Sequence, residues 1–376
     1  MTNTKTTIHG LFDHGQSAWL DDISKCMIDS GRLKELVYSE GIRGMTTNPS
    51  IFEKAISSGE CGYPDAIRKL LSEGKTPVEV YETLSCDDVQ RASDVMRKLH
   101  DESDSVDGFI SWEEAPEWGE NEEKSVSEAV RLRAMVDRPN VFIKVPSTPE
   151  GIAALRRLIR KGISINMTLI FSQEQYVAVA ESFLAGLEDR QADGNPIDRV
   201  RSVASVFISR LDSAVDKQLD ASDNQAQAAD LKGKIGLANT KMIYQHFLKL
   251  FKTERFEKLA AHGARVQRPL WASTGTKNPD YSDTMYIDNL IGVDTVNTMP
   301  AKTVEAFLDH GGVRADTVLE GVDEAKDQLA GLEKLGISIS SINKQLLIDG
   351  LAAFAKSYDE LIATIQRSLE VAHEKS

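Results

Sequence analysis

Short apolar, β-branched runs alternate with longer segments in which apolar residues recur every three or four positions, almost from end to end of this chain. The short runs predict strands over 18–22, 44–48, 108–113, 140–145, 164–171, 201–208, 269–274 and 295–299. Helical periodicity fills most of the gaps, for example over 76–99, 124–135, 149–160 and 173–187. Eight strands joined by helical crossovers predict an α/β chain folded as a closed parallel (β/α)8 (TIM) barrel with its helices outside. An open doubly wound sheet competes with it, but no glycine-rich dinucleotide turn follows an early strand. Residues 1–376 read as one such domain, with 301–376 a helical C-terminal extension packed on the barrel.

The rhythm changes after Pro300. Leu347, Leu351, Phe354, Tyr358, Leu361, Ile365 and Leu369 repeat every three or four residues and predict one long amphipathic helix. Two roles are open to it. Covering one wall of the barrel is the plainer one; crossing the mouth of a site and excluding water is the other.

Alternation within the strands sorts residues by face. Val141, Ile143 and Val145 share a face suited to packing under helices, and Asn140, Phe142 and Lys144 share the one that points inward. By the same parity Phe109, Ser111 and Glu113 go together, Asn166 and Thr168 oppose Ile165, Met167 and Leu169, and Ser205 and Phe207 oppose Ala204, Val206 and Ile208. Asp21 and Asn48 fall near the ends of the first two strands. Most strands thus bring a polar residue toward the carboxyl end, where barrels carry their active sites. Burying so many polar groups is costly unless they serve a polar chamber.

Lys144 is the most informative of them. An ammonium in an apolar strand loses its water, so its pKa should fall from the ordinary value of about 10.4 and leave a neutral, nucleophilic amine. The alternatives are a lysine that snorkels to solvent or pairs with a carboxylate. A neutral lysine attacks a ketone, water leaves, and the resulting iminium stabilises a carbanion at the neighbouring carbon. Asp21 and Glu113 are the carboxylates available for proton transfer, unless they serve as structural partners of Lys144 or Arg210. Asn48, Ser111, Asn166, Thr168 and Ser205 suit sugar hydroxyls, or helix capping and interior hydrogen bonds. Arg210, just past the sixth strand, offers a fork of donors for a phosphate. The segment from Trp271 to Asn278, with Ser273, Gly275 and Lys277, reads equally as an anion cradle or an ordinary turn.

Bulk properties narrow the classes. A 41% apolar and 27% charged composition is that of a soluble globular protein. The formal net charge of −14 argues against nucleic acid and anionic membranes as partners. Cys26, Cys61 and Cys86 form no CxxC pair and read as free thiols in a reducing cytoplasm. The first seven residues lack an apolar signal core, and no stretch is long enough to span a bilayer. The histidines have no metal-ligand spacing, so neither a metal nor another cofactor is expected. The Asn166-Met167-Thr168 sequon lies in a strand expected to be buried and is discounted.

Five segments together resemble the transaldolase family. They are Thr46-Thr47-Asn48-Pro49-Ser50-Ile51-Phe52, Asn140-Val141-Phe142-Ile143-Lys144-Val145-Pro146, Asn166-Met167-Thr168-Leu169-Ile170-Phe171-Ser172, Ser205-Val206-Phe207-Ile208-Ser209-Arg210, and the stretch from Leu270 to Pro279. They occur in family order over about residues 15–300, and the chain is similar to the longer bacterial subgroup with a C-terminal helical extension. The resemblance implies transfer of a dihydroxyacetone unit from sedoheptulose 7-phosphate to glyceraldehyde 3-phosphate through a Schiff base on Lys144, giving erythrose 4-phosphate and fructose 6-phosphate in the non-oxidative pentose phosphate pathway. It implies an acid/base at Asp21, with adjacent Asp22 leaving the register open, and a water-positioning pair at Glu113 and Thr168. Asn48, Asn166 and Ser205 would surround the dihydroxyacetone unit, while Arg210 and Ser273 would hold phosphate. Phe207 joins the substrate-binding set; related, much shorter aldolases that release free dihydroxyacetone place a tyrosine there. Two departures stand out. Some relatives carry an arginine just after Ser273, which Lys277 would replace, and Trp112 and Glu114 flank Glu113 where smaller neighbours are usual. The rivals are a fructose 6-phosphate aldolase-like lyase and a catalytically silent sugar-phosphate-binding barrel. Small sugar phosphates are the expected partners, and a homo-oligomer is compatible with everything above.

Overall fold

All eight expected strands form, each within two residues of its predicted bounds. In the computed structural model, which describes residues 5–373, they are β1 (Gln16–Leu20), β2 (Gly44–Thr46), β3 (Phe109–Glu113), β4 (Val141–Pro146), β5 (Ile165–Ile170), β6 (Ser202–Phe207), β7 (Arg268–Ala272) and β8 (Thr295–Met299). They pair in sequence order, all parallel, and β1 closes on β8 to complete the barrel.

Two helices start where the chain leaves a strand and meets a cap followed by proline. Asn48 Oδ1 accepts the Ile51 amide at 3.1 Å, and Pro49 opens the helix Pro49–Ser57. Thr148 and Pro149 repeat the device for the helix Pro149–Arg160, the Thr148 hydroxyl accepting the Gly151 amide at 2.9 Å. Ser172 and Gln175 form a reciprocal capping box ahead of the helix Gln173–Ala192. Each cap satisfies an orphan amide and is worth about 1 kcal/mol.

Parity places the core as expected, with one exception. Val141, Ile143, Val145, Ile165, Met167, Ala204 and Val206 pack outward under the helices. Trp19, Phe109, Phe142, Val203, Leu270 and Val296 fill the interior. The Trp19 ring lies so close to β2 that a Cβ on Gly44 would come within 2.3 Å of it, so only glycine lets the strand pass. Leu169 departs from its predicted outer face. Its φ is +60°, and the β5–β6 register slips between Met167 and Ile170. That irregularity turns Leu169 into the inner cluster beside Phe171, Phe207 and Phe354.

The cysteine expectation is corrected. Cys26 and Cys61 form a disulfide, their Cα atoms 5.3 Å apart, and only Cys86 is free. The barrel brings the segments after β1 and β2 side by side, which a sequence separation of 35 does not reveal.

The helix Ala301–His310 packs on β8 and on the N-terminal helix Thr7–Asp13, completing the helical ring. Beyond it, the helix Val322–Lys334 lies against the helix Ile235–Phe251. The final helix, Ile339–His373, touches the helix Ser209–Asp220 after β6, the end of β5, and the helices Pro49–Ser57 and Pro77–Glu102. It therefore crosses the carboxyl-end mouth instead of covering one wall. Leu347, Leu351 and Phe354 pack on the inner cluster, and Tyr358, Leu361 and Ile365 on the outer core. The Leu369 side chain and residues 1–4 lie outside the described residues.

Candidate active site

A cavity of about 140 Å3 opens at the carboxyl ends of the strands, lined by Asp21, Asn48, Lys144, Thr168, Ser205, Phe207, Arg210, Ser273 and Lys277 among others. A larger hollow of about 810 Å3 lies beside the last helix, lined by Val78, Ile348 and Tyr358. It gathers none of the residues named from the strand ends, so chemistry and not size identifies the site.

Lys144 is 4% exposed. Adjacent strands in register set Glu113 beside it on one side and Asn166 on the other. Its Nζ donates to Glu113 Oε2 at 3.2 Å and to the Thr47 carbonyl at 2.9 Å. The strand buries the amine as predicted, but within polar partners and not a purely apolar shell. Burial pushes the Glu113 carboxyl up, against the opposing pull of Lys144. The ion pair that stood as the alternative to a neutral lysine is therefore present, with Lys144 on the cavity and Glu113 just behind its lining.

Asp21 lines the cavity and Asp22 does not. The Thr46 hydroxyl donates to Asp21 Oδ1 at 2.6 Å and lies 2.7 Å from the Thr298 hydroxyl. Burial raises the Asp22 carboxyl. Beneath Lys144, Ser205 Oγ donates to Asn166 Oδ1 at 2.7 Å and Asn166 Nδ2 donates to Ser111 Oγ at 3.0 Å. Both ends of the Asn166 amide are thus engaged, and it braces the floor; Ser111, Asn166 and Glu113 stand behind the cavity wall. Thr168 Oγ1 is buried without a hydrogen-bond partner among the described residues. A hydroxyl aimed into a polar cavity in that state suits a water or substrate oxygen.

Arg210 makes no hydrogen bond or ion pair among the described residues, although it is largely buried and faces Asp21 and Glu113. Burial lowers its pKa against those carboxylates. Its guanidinium stands 5.1 Å from the Phe207 ring centre. Ser273 occupies left-handed backbone at φ +55° and its hydroxyl lies 2.8 Å from that of Ser209. Ser273, Gly275 and Lys277 all line the cavity, so the segment after β7 joins Arg210 on one rim. That favours the anion cradle over an ordinary turn.

Trp112 and Glu114 turn away from the site. Trp112 packs in the outer core, and Ser125 Oγ donates to both Glu114 oxygens at 2.8 and 3.0 Å. Sequence reasoning missed Thr46, Thr298 and Phe354 as lining residues. Strand parity would have found Thr298, two residues beyond Val296. Phe354 carried only the signature of a core-facing helix position.

The arrangement suits amine-based carbonyl chemistry with a phosphate held at the rim. A sequence profile of the family described as Transaldolase/Fructose-6-phosphate aldolase matches residues 18–365. The chain is 43% identical over 369 residues to Transaldolase 1 of Streptomyces coelicolor, covering 98% of this chain and 96% of that protein. It is 44% identical over 370 residues to Transaldolase 1 of Streptomyces avermitilis, covering 98% and 97%. It is 40% identical over 373 residues to a transaldolase of Mycobacterium tuberculosis strain H37Rv, covering 99% and 100%. With barrel, site and full-length similarity in agreement, the chain belongs to the transaldolase/fructose-6-phosphate aldolase family.

Proposed function

We propose that this chain is a transaldolase that moves a dihydroxyacetone unit from sedoheptulose 7-phosphate to glyceraldehyde 3-phosphate by way of a Schiff base on Lys144. The observation that carries this is the buried Lys144 amine, 3.2 Å from Glu113, in a polar cavity at the carboxyl ends of the strands. Glu113 takes the proton that leaves the amine neutral, and Lys144 adds to the donor ketone. Glu113 and Thr168 hold the water expelled as the iminium forms. Asp21, hydrogen-bonded to Thr46, removes the proton from the hydroxyl beside the breaking carbon–carbon bond. The first aldehyde leaves, and the three-carbon enamine stays on Lys144. It adds to the second aldehyde, Asp21 returns the proton, and water releases the product. Asn48, Ser205 and Phe207 border the three-carbon unit, braced from behind by Asn166 and Ser111. Arg210, Ser273 and Lys277 hold the phosphate, where an unpaired, partly desolvated guanidinium is worth most.

Among the described residues no helix is long and apolar enough to cross a membrane. We place the enzyme in the cytoplasm with its sugar-phosphate substrates, where the Cys26–Cys61 bond would face reductants.

Borohydride added with fructose 6-phosphate should attach the three-carbon unit covalently to Lys144, read as a mass increase on its peptide. Lys144→Ala should abolish both trapping and transfer. Full transfer by Lys144→Ala rejects the mechanism. Donor consumption that is the same with and without an acceptor aldehyde would instead point to free aldol cleavage.

A further inference from the structure

We propose that Phe354, delivered by the final helix, is a specificity-determining residue: it decides whether the three-carbon unit on Lys144 passes to an aldehyde or is lost to water. The inference rests on the Schiff-base reading above. Phe354 is 5% exposed and lines the cavity. Its ring centre lies 5.6 Å from Lys144 Nζ and 5.9 Å from the Arg210 guanidinium carbon. One ring therefore stands against both the amine that carries the unit and the arginine assigned to the phosphate.

The ring is placed by design of the backbone around it. One turn earlier, Gly350 meets Leu169 so closely that a Cβ on it would come within 2.9 Å of Leu169 Cδ2. Leu169 reaches that position only because its backbone is left-handed. On the other flank, the Ser357 and Ser50 hydroxyls lie 2.7 Å apart. The Tyr358 ring packs edge-on against Tyr81 with centroids 5.6 Å apart. The helix is thus seated on both sides of Phe354, on β5 and on two helices between β2 and β3, Pro49–Ser57 and Pro77–Glu102.

The chemistry explains what the ring accomplishes. After the donor's carbon–carbon bond breaks and the first aldehyde departs, an enamine remains. If a proton from water adds to its nucleophilic carbon, an iminium forms. Hydroxide equivalent to the same water then adds to the iminium carbon, the carbon–nitrogen bond of the carbinolamine breaks, and free dihydroxyacetone and the Lys144 amine result. The Phe354 face offers that water neither donor nor acceptor. An aldehyde acceptor anchored through its phosphate on Arg210 enters along the same ring and displaces whatever water remains.

The test compares free dihydroxyacetone released with sedoheptulose 7-phosphate formed, using fructose 6-phosphate as donor and erythrose 4-phosphate as acceptor. Phe354→Ala should raise the ratio of release to transfer about tenfold, the effect of roughly 1.4 kcal/mol on one of two competing steps. Borohydride trapping on Lys144 should persist. Phe354→Leu, which keeps an apolar cover, should restore a ratio close to the parent's. Gly350→Ala leaves the ring intact but forces Leu169 aside or lifts the helix, so it should raise the ratio in the same direction. A merely structural role would lower release and transfer together, and an unchanged ratio in Phe354→Ala and Gly350→Ala overturns the proposal. Loss of trapping in the parent would overturn the Schiff-base reading itself, a separate outcome.

Discussion

Glu113 and Glu114 are consecutive carboxylates with opposite fates. Pleating turns Glu113 to Lys144 and Glu114 to the outer core, where it is 2% exposed and bonded to Ser125. Among the described residues no cation pairs with Glu114, and burial pushes its carboxyl up to about 8. The sign of the consequence follows from proton binding. Above about 4.5 the unfolded chain releases this proton, whereas the folded chain keeps it until about pH 8. Its contribution to stability is therefore full below the unfolded value and is lost as pH rises through the folded one. Urea melts should show the parent weakening over that window. Glu114→Gln, which keeps a partner for Ser125 without an ionisable group, should flatten the slope and exceed the parent at the alkaline end by on the order of a few kcal/mol. Parallel stability curves for the two proteins would rule this out.

Among the elements, β2 and the last helix are two whose backbone approaches a neighbour with no room for a side chain between. In β2 the neighbour is Trp19, itself fully buried, with its ring centre 6.1 Å from that of Phe142 on the Lys144 strand. Gly44→Ala places a methyl in that ring's space. The expected cost is about 1–3 kcal/mol or more, read as a lower urea midpoint. Phe142 should shift with Trp19, so transfer activity should fall as well. A midpoint unchanged from the parent would mean that Trp19 has room to yield. The strands themselves were legible from their alternation because both faces are buried but differ in chemistry. Leu169 was not, because a left-handed residue breaks the period of two on which parity depends.

Across the whole molecule, a formal charge of −14 surrounds a cavity mouth carrying Lys144, Arg210 and Lys277. The attraction for a sugar phosphate is therefore local, and the distant field opposes it. The Cys26–Cys61 bond ties the segment after β1, which follows Asp21, to the segment after β2, which follows Asn48. Closing a loop of this size is worth about 2–4 kcal/mol. Reductant should lower the urea midpoint of the parent accordingly. Cys61→Ser should match the reduced parent and ignore reductant. A parent indifferent to reductant would show that the bond does not contribute to stability in solution.

Local chemistry made much of the protein readable in one dimension. Asn48-Pro49 and Thr148-Pro149 announce helix starts through caps and a proline's preset dihedral. The alternation around Lys144 announces which side chains face inward, because neighbouring residues on a strand must point apart. Proximity between distant segments was decided only by closure of the barrel. Closure set Glu113 beside Lys144 through strand register, chose Asp21 over Asp22 as the residue in the cavity, joined Cys26 to Cys61, and carried Phe354 more than two hundred residues along the chain to the same amine. Side-chain period is a property of each strand alone, whereas contact across the mouth depends on how all eight are tilted and joined.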